Sequence, residues 1–163
     1  MVSLKRGLAK ETGALLRKKG LSLALAESCT AGLLGYMITT VPGSSDYFSG
    51  GVIAYNDSAK MKLLDVSQRT LKAYGAVSME CAVEMATGIR KKIGSHIGIS
   101  ITGTAGPDKG GPSKPLGTVY IALSDPEKTV VKRFLFQGTR DLIRKSSAIE
   151  ALKMLKTYLL DLG

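Results

Sequence analysis

Apolar and polar positions follow two rhythms along this chain. Residues 4–19 carry Leu4, Leu8, Leu15 and Leu16 toward one side and stop at Gly20, which predicts a helix. Residues 21–26, "LSLALA", are short, apolar and bounded, as a buried strand is. A helix is predicted over 28–40, ending at "VPGSS", and a strand over "GGVIAY", 50–55. A short helix follows at 57–64, with Asp57 placed to cap it, and another at 67–72. Ser78 is placed to cap a helix over 79–93, whose apolar stripe is Met79, Ala82, Val83, Ala86 and Ile89. Residues 97–101 read as a second buried strand, followed by a Gly/Pro loop over 102–115. Strands at 118–123 and 129–136 are joined by "SDPEK", a hairpin signal. The second alternates polar and apolar, which places it at a sheet margin. A last helix starts near Thr139 and ends near residue 160, with Ile149, Leu152, Leu155 and Leu159 at helical spacing.

Helix-sized crossovers come early and a hairpin comes late. That order predicts one three-layer α/β/α domain over residues 1–163, with a mixed, mostly parallel sheet of about five strands. A length of 163 residues suits a single core. No apolar run approaches the roughly 18–20 residues of a membrane helix, and the first residues lack the apolar stretch of a secretory signal. Cys29, Cys81 and a lone His96 make neither a disulfide framework nor a zinc cluster, so a reduced, cytoplasmic setting is expected. The net charge of +10 is scattered over helix faces and ends with few interleaved aromatics. This argues against a nucleic-acid stripe and favours approach of a phosphorylated small molecule.

In open α/β sheets, ligands bind beyond the carboxyl ends of the strands. Three conspicuous loops fall there: "AESCTAG", "AYNDSAK" and "TGTAGPDKGGPSK". The first puts Ser28, Cys29 and Thr30 at a predicted helix start, where free N–H groups favour a phosphate or an oxyanion. Ser28 there is either a nucleophile or a helix cap. A serine nucleophile needs a base, and with one histidine in the chain the candidate is Lys60, with Tyr55 nearby as a relay or stacking partner. The third loop matches neither common phosphate motif, yet Thr102, Gly103, Ala105 and Gly106 offer N–H groups and a hydroxyl to an anion. Arg140 and Arg144, four apart, could clamp a phosphate.

Taken in order, "AESCTAG", "VPGSSDYFSGGVIAYNDSAK", "LKAYGAVS", "ITGTAGPDKGGPSKPLGTVYIAL" and "FQGTRDLIR" resemble the CinA C-terminal-domain family of nicotinamide mononucleotide deamidases. The resemblance runs from about Leu21 to Arg144, and five ordered motifs make it specific. It implies hydrolysis of the carboxamide of nicotinamide mononucleotide, with Ser28 as nucleophile and Lys60 as base, no metal and no cofactor. It also implies a homodimer, with Tyr55, Thr102 and Arg140 as substrate-site residues; Cys29, Thr30, Ser44, Gly103 and Gly106 are further candidates for the substrate site. Two positions depart from the family's usual pattern: Ala31 stands where a glycine is common, and Thr139 where an aspartate is common. Many members carry an extra N-terminal domain, and at 163 residues a single domain without it is expected. A non-catalytic nucleotide-binding module and a nucleic-acid-associated protein are the rival readings.

Overall fold

A computed structural model describes residues 2–107 and 114–162, with side chains from residue 7 onward. The predicted role of Leu4 and the middle of the 102–115 loop lie outside the described residues. Six α-helices and five strands are present among them. In chain order they are α1 (Val2–Lys19), β1 (Leu23–Glu27), α2 (Leu33–Thr39), β2 (Phe48–Ile53), α3 (Asp57–Leu64), α4 (Gln68–Tyr74), α5 (Met79–Ile93), β3 (Ile97–Gly103), β4 (Thr118–Ser124), β5 (Thr129–Leu135) and α6 (Arg140–Asp161). The sheet order is β2-β1-β3-β4-β5. Strand β1 pairs parallel with β2 and β3, while β4 runs antiparallel to β3 and β5. The late hairpin therefore supplies the one reversed strand, and β5 lies at the margin.

Side chains alternate across a strand, and in β1 and β3 they alternate large with small. Leu23, Leu25, Ile97, Ile99 and Ile101 enter the main core beneath α1, α2 and α6. Ala24 and Ala26 face the other way, toward α3 and α5. Small residues on that face let α5 approach closely. A Cβ on Gly98 would lie 2.2 Å from the Ala86 carbonyl oxygen, and the Ser100 hydroxyl donates to Ala82 O at 2.5 Å.

Several local expectations shift. Residues 28–32 are a turn, and α2 starts only at Leu33. Asn56, not Asp57, caps α3, its side chain accepting from Ala59 N at 2.8 Å. Extended Asn56 places its oxygen over the first turn, whereas Asp57 already has helical backbone. On α5 the buried face is Cys81, Ala82, Met85, Ala86, Gly88 and Ile89, while Met79 is exposed in the first turn. Among the described residues, no helix is long and apolar enough to cross a membrane.

Candidate functional site

Strand parity places the candidate chemistry. Ser28 continues the series Ala24, Ala26 and so lies on the α3/α5 face; Glu27 continues Leu23, Leu25 and lies on the α2 face. Backbone pairing holds this point on both sides: Ser28 N donates to Ile101 O at 2.9 Å, and Ala54 N donates to Glu27 O at 2.9 Å.

Helix α3 begins just after β2, and its buried face carries Lys60 and Leu64, four residues apart. Lys60 is 1 % exposed. Its Nζ donates to Ser28 Oγ at 3.0 Å, to Ala54 O at 2.9 Å and to Tyr55 O at 3.2 Å. Three acceptors match three ammonium protons. Burial nevertheless lowers the lysine pKa below its usual 10.5, with Cys81, Asp57 and Cys29 opposing the shift weakly. Once neutral, the amine keeps two N–H bonds to the carbonyls and turns its lone pair toward the Ser28 hydroxyl. A base and a potential nucleophile thus share one hydrogen bond in a setting that favours the neutral base.

A cavity of about 230 Å³ opens over this pair and is lined by Ser28, Cys29, Tyr55, Lys60, Ala76, Val77, Thr102, Gly103, Thr104, Ala105, Gly106 and Arg140. Thr102 and Gly103 end β3, and the Thr102 hydroxyl donates to Ala76 O at 2.8 Å, tying down the α4–α5 loop. Gly103 stands in register with Val119, and a Cβ there would meet Val119 Cγ2 at 2.6 Å, so packing against β4 already demands the glycine. At the mouth, Tyr55 is 56 % exposed. Arg140 donates to Tyr55 Oη at 2.7 Å and also to Gly106 O. Gly106 contributes its carbonyl to holding Arg140 at the mouth.

Three expectations need correction. The N-terminus of α2 does not await an anion: the Glu27 carboxyl fills it, accepting from Gly32 N and Leu34 N at 3.1 Å and from Gly35 N at 2.8 Å. Its charge already satisfies the free N–H groups that made the site attractive. Arg144 is not the second prong of a phosphate clamp. Its Nε donates to Cys29 O at 3.1 Å and its Nη2 to Thr30 O at 2.8 Å, so those donors are engaged. Finally, Ser44 and Thr30 do not line the cavity. Ser44 sits in a 3-10 turn before β2, at the amino end of the strands, and Thr30 is fully buried with its Oγ1 unpartnered.

Cys29 does line the cavity, but burial pushes its thiol up to about 11, away from the reactive thiolate. Ala31 adopts φ 49°, followed by Gly32 at φ 91°, a left-handed backbone that glycine takes more readily than alanine. Thr139 keeps the capping role that an aspartate would have, its side chain accepting from Leu142 N at 3.4 Å. Ala76, Val77 and Thr104 were not foreseen as cavity residues; the Gly75–Ser78 turn between two helices was the only signal for the first two, and Thr104 lies in the third conspicuous loop.

The fold and the cavity define an α/β domain with a buried lysine joined to a serine beyond the carboxyl ends of parallel strands. Residues 5–159 match the CinA C-terminal domain family, and the chain belongs to it. A CinA-like protein of Synechococcus sp. is 50 % identical over 157 residues, which is 95 % of this chain and 37 % of that protein. Another CinA-like protein, of Citrifermentans bemidjiense, is 50 % identical over 146 residues, covering 90 % of this chain and 35 % of that one. The chain thus spans little more than a third of the length of these curated relatives. Among solved structures, a CinA superfamily protein of Klebsiella pneumoniae superposes with TM-score 0.93 at 31 % identity, covering 96 % of this chain and 98 % of its own. The competence/damage inducible protein CihA of Agrobacterium tumefaciens gives TM-score 0.91 at 32 % identity, covering 95 % and 94 %.

Proposed function

We propose that the chain is an amidohydrolase that converts nicotinamide mononucleotide to nicotinate mononucleotide and ammonia. The observation that carries this reading is the 3.0 Å hydrogen bond between buried Lys60 and Ser28 at the cavity floor. Neutral Lys60 takes the Ser28 proton as Oγ bonds to the carboxamide carbon. The C–N bond then breaks, and Lys60 returns the proton to the leaving amide nitrogen, releasing ammonia. Water attacks the acyl-serine, gives its proton to Lys60, and the C–Oγ bond breaks as Ser28 regains a proton.

Among the described residues no carbonyl accepts from Cys29 N, and Cys29 lines the cavity, so in this reading its N–H serves the oxyanion. A cavity of about 230 Å³ is below the usual range for whole drug-sized ligands. It takes the pyridine ring and carboxamide and leaves the phosphate at the mouth, within reach of Arg140. Tyr55 offers its ring face there, and Thr102, Gly103 and Gly106 shape the wall. In this reading the chain acts as one cytoplasmic domain and as a homodimer, with Ser44 outside its own subunit's cavity. Purified protein should release ammonia from nicotinamide mononucleotide. Full activity in both Ser28→Ala and Lys60→Ala would remove the pair from the chemistry.

A further inference from the structure

Arg144 is half-buried, and among the described residues no carboxylate pairs with it. A half-buried guanidinium without a counter-ion needs strong acceptors. It finds two carbonyls in succession, Cys29 O and Thr30 O. Four residues earlier on the same helix, Arg140 reaches the cavity mouth, so α6 serves both the mouth and the back of the serine loop.

A trans peptide points its C=O and N–H in opposite directions. With Cys29 O held by Arg144, Thr30 N–H of the same peptide unit is turned away from α6. Ala31 N–H, in the next unit, already donates to Ser28 O at 3.1 Å and closes the turn. That leaves Cys29 N–H, at the cavity, and the buried Thr30 N–H without a backbone acceptor. Glu27 pins the other end of the turn through Gly32, Leu34 and Gly35. The turn is thus held by its carbonyls on one side and its N–H groups on the other.

We propose that Arg144 is a positioning residue that fixes the Cys29–Thr30 peptide and so keeps the serine turn, with Ser28 Oγ and Cys29 N–H at the cavity, in the geometry the oxyanion needs. This rests on the serine–lysine reading above. The test uses two reactions. The first is phosphonylation of Ser28 by a fluorophosphonate, in which Oγ bonds to phosphorus, fluoride leaves and Lys60 takes the hydroxyl proton. It needs the nucleophile and the oxyanion donors but no pyridine nucleotide. The second is ammonia release from nicotinamide mononucleotide. Arg144→Gln should slow labelling and lower kcat by at least about tenfold, because misplaced or weakened oxyanion donors cost of that order or more. KM should stay within about threefold, and the pH profile set by Lys60 should not move. Arg144→Lys, which keeps a cation but bonds at most one carbonyl well, should fall between wild type and Arg144→Gln and guards against a glutamine variant that does not fold. Labelling rates within twofold of wild type in a folded variant would overturn the proposal, as would a loss confined to KM. Wild-type protein that is not labelled at Ser28 would instead overturn the serine–lysine reading, and this inference with it.

Discussion

The two faces of the sheet are built from different residue sizes, and they do different work. Toward α1, α2 and α6 the strands present leucines and isoleucines, and the polar groups that reach this face only hold backbone: Glu27 the start of α2, Arg144 the carbonyls of the serine turn. Toward α3 and α5 the strands present alanine, glycine and serine, so helices come close and polar side chains from separate elements meet, as Ser28, Lys60 and Thr102 do beside one cavity. One face supplies rigidity, and the other supplies a small polar cavity. The difference teaches that the proposed reactive pair rests on a scaffold whose key groups, Glu27 and Arg144, do not themselves line the cavity.

Removing the reactive pair should break the comparison most strongly. Ser28→Ala is expected to lower ammonia release by roughly 10³-fold or more while leaving the fold intact, whereas His96→Ala at the amino end of β3 should change it less than twofold. A steady-state ammonia assay with thermal unfolding as control checks both.

On the scaffold face, Glu27→Gln should cost about 2 kcal/mol of stability, because an amide nitrogen then faces N–H donors in a buried site. Removing the exposed pair of Arg17 and Asp46, with side chains 40 % and 62 % accessible, should cost less than about 1 kcal/mol. Denaturant unfolding of Glu27→Gln and Asp46→Asn measures the contrast; equal costs would erase it.

Lys60 gives the comparison a pH axis. Its folded-state pKa is lowered by burial, so between that value and 10.5 the unfolded chain holds the extra proton. Stability contributed at this position therefore rises with pH across that window. Relative to Lys60→Met, wild type should gain stability between pH 7 and pH 10, and its activity should rise with pH as the neutral amine is populated. A stability difference flat in pH would mean that burial does not act on this lysine's charge.

The smallest effect is expected at the turn joining the two faces. Ala31→Gly relieves a left-handed backbone worth about 1–2 kcal/mol but loosens the unfolded chain by about 0.4–1 kcal/mol. A net gain of about 0.5 kcal/mol should appear as a slightly higher denaturant midpoint, and a net loss would show that the turn holds alanine without strain.

Much of this was legible along the chain. The helices and strands follow from apolar period and turn residues, and the three loops follow from the rule that ligands gather beyond parallel strand ends. Ser28 and Lys60 were legible as candidates because a chain with one histidine has few bases to offer. Less legible was the start of α2, since the turn at 28–32 contains no proline and only Gly32 marks it. Glu27 was hidden because it ends a strand and caps a helix five residues on, and only the period of two along Leu23, Leu25 and Glu27 pointed to the face it uses. Arg140 and Arg144 share helical spacing, which reads as a common target; in space they diverge to the mouth and to the back of the serine turn.

The sequence by itself determined the elements, their order and the residue types available for chemistry, because these depend on local propensity and on apolar period. Only the tertiary structure decided which charges are buried, what they touch and which carbonyls hold them. Those outcomes come from strands and helices far apart in sequence being brought within 3 Å of one another, as Lys60 and Ser28 are. Desolvation and hydrogen-bond geometry, which set a lysine's pKa and an amide's direction, exist only once that packing is complete.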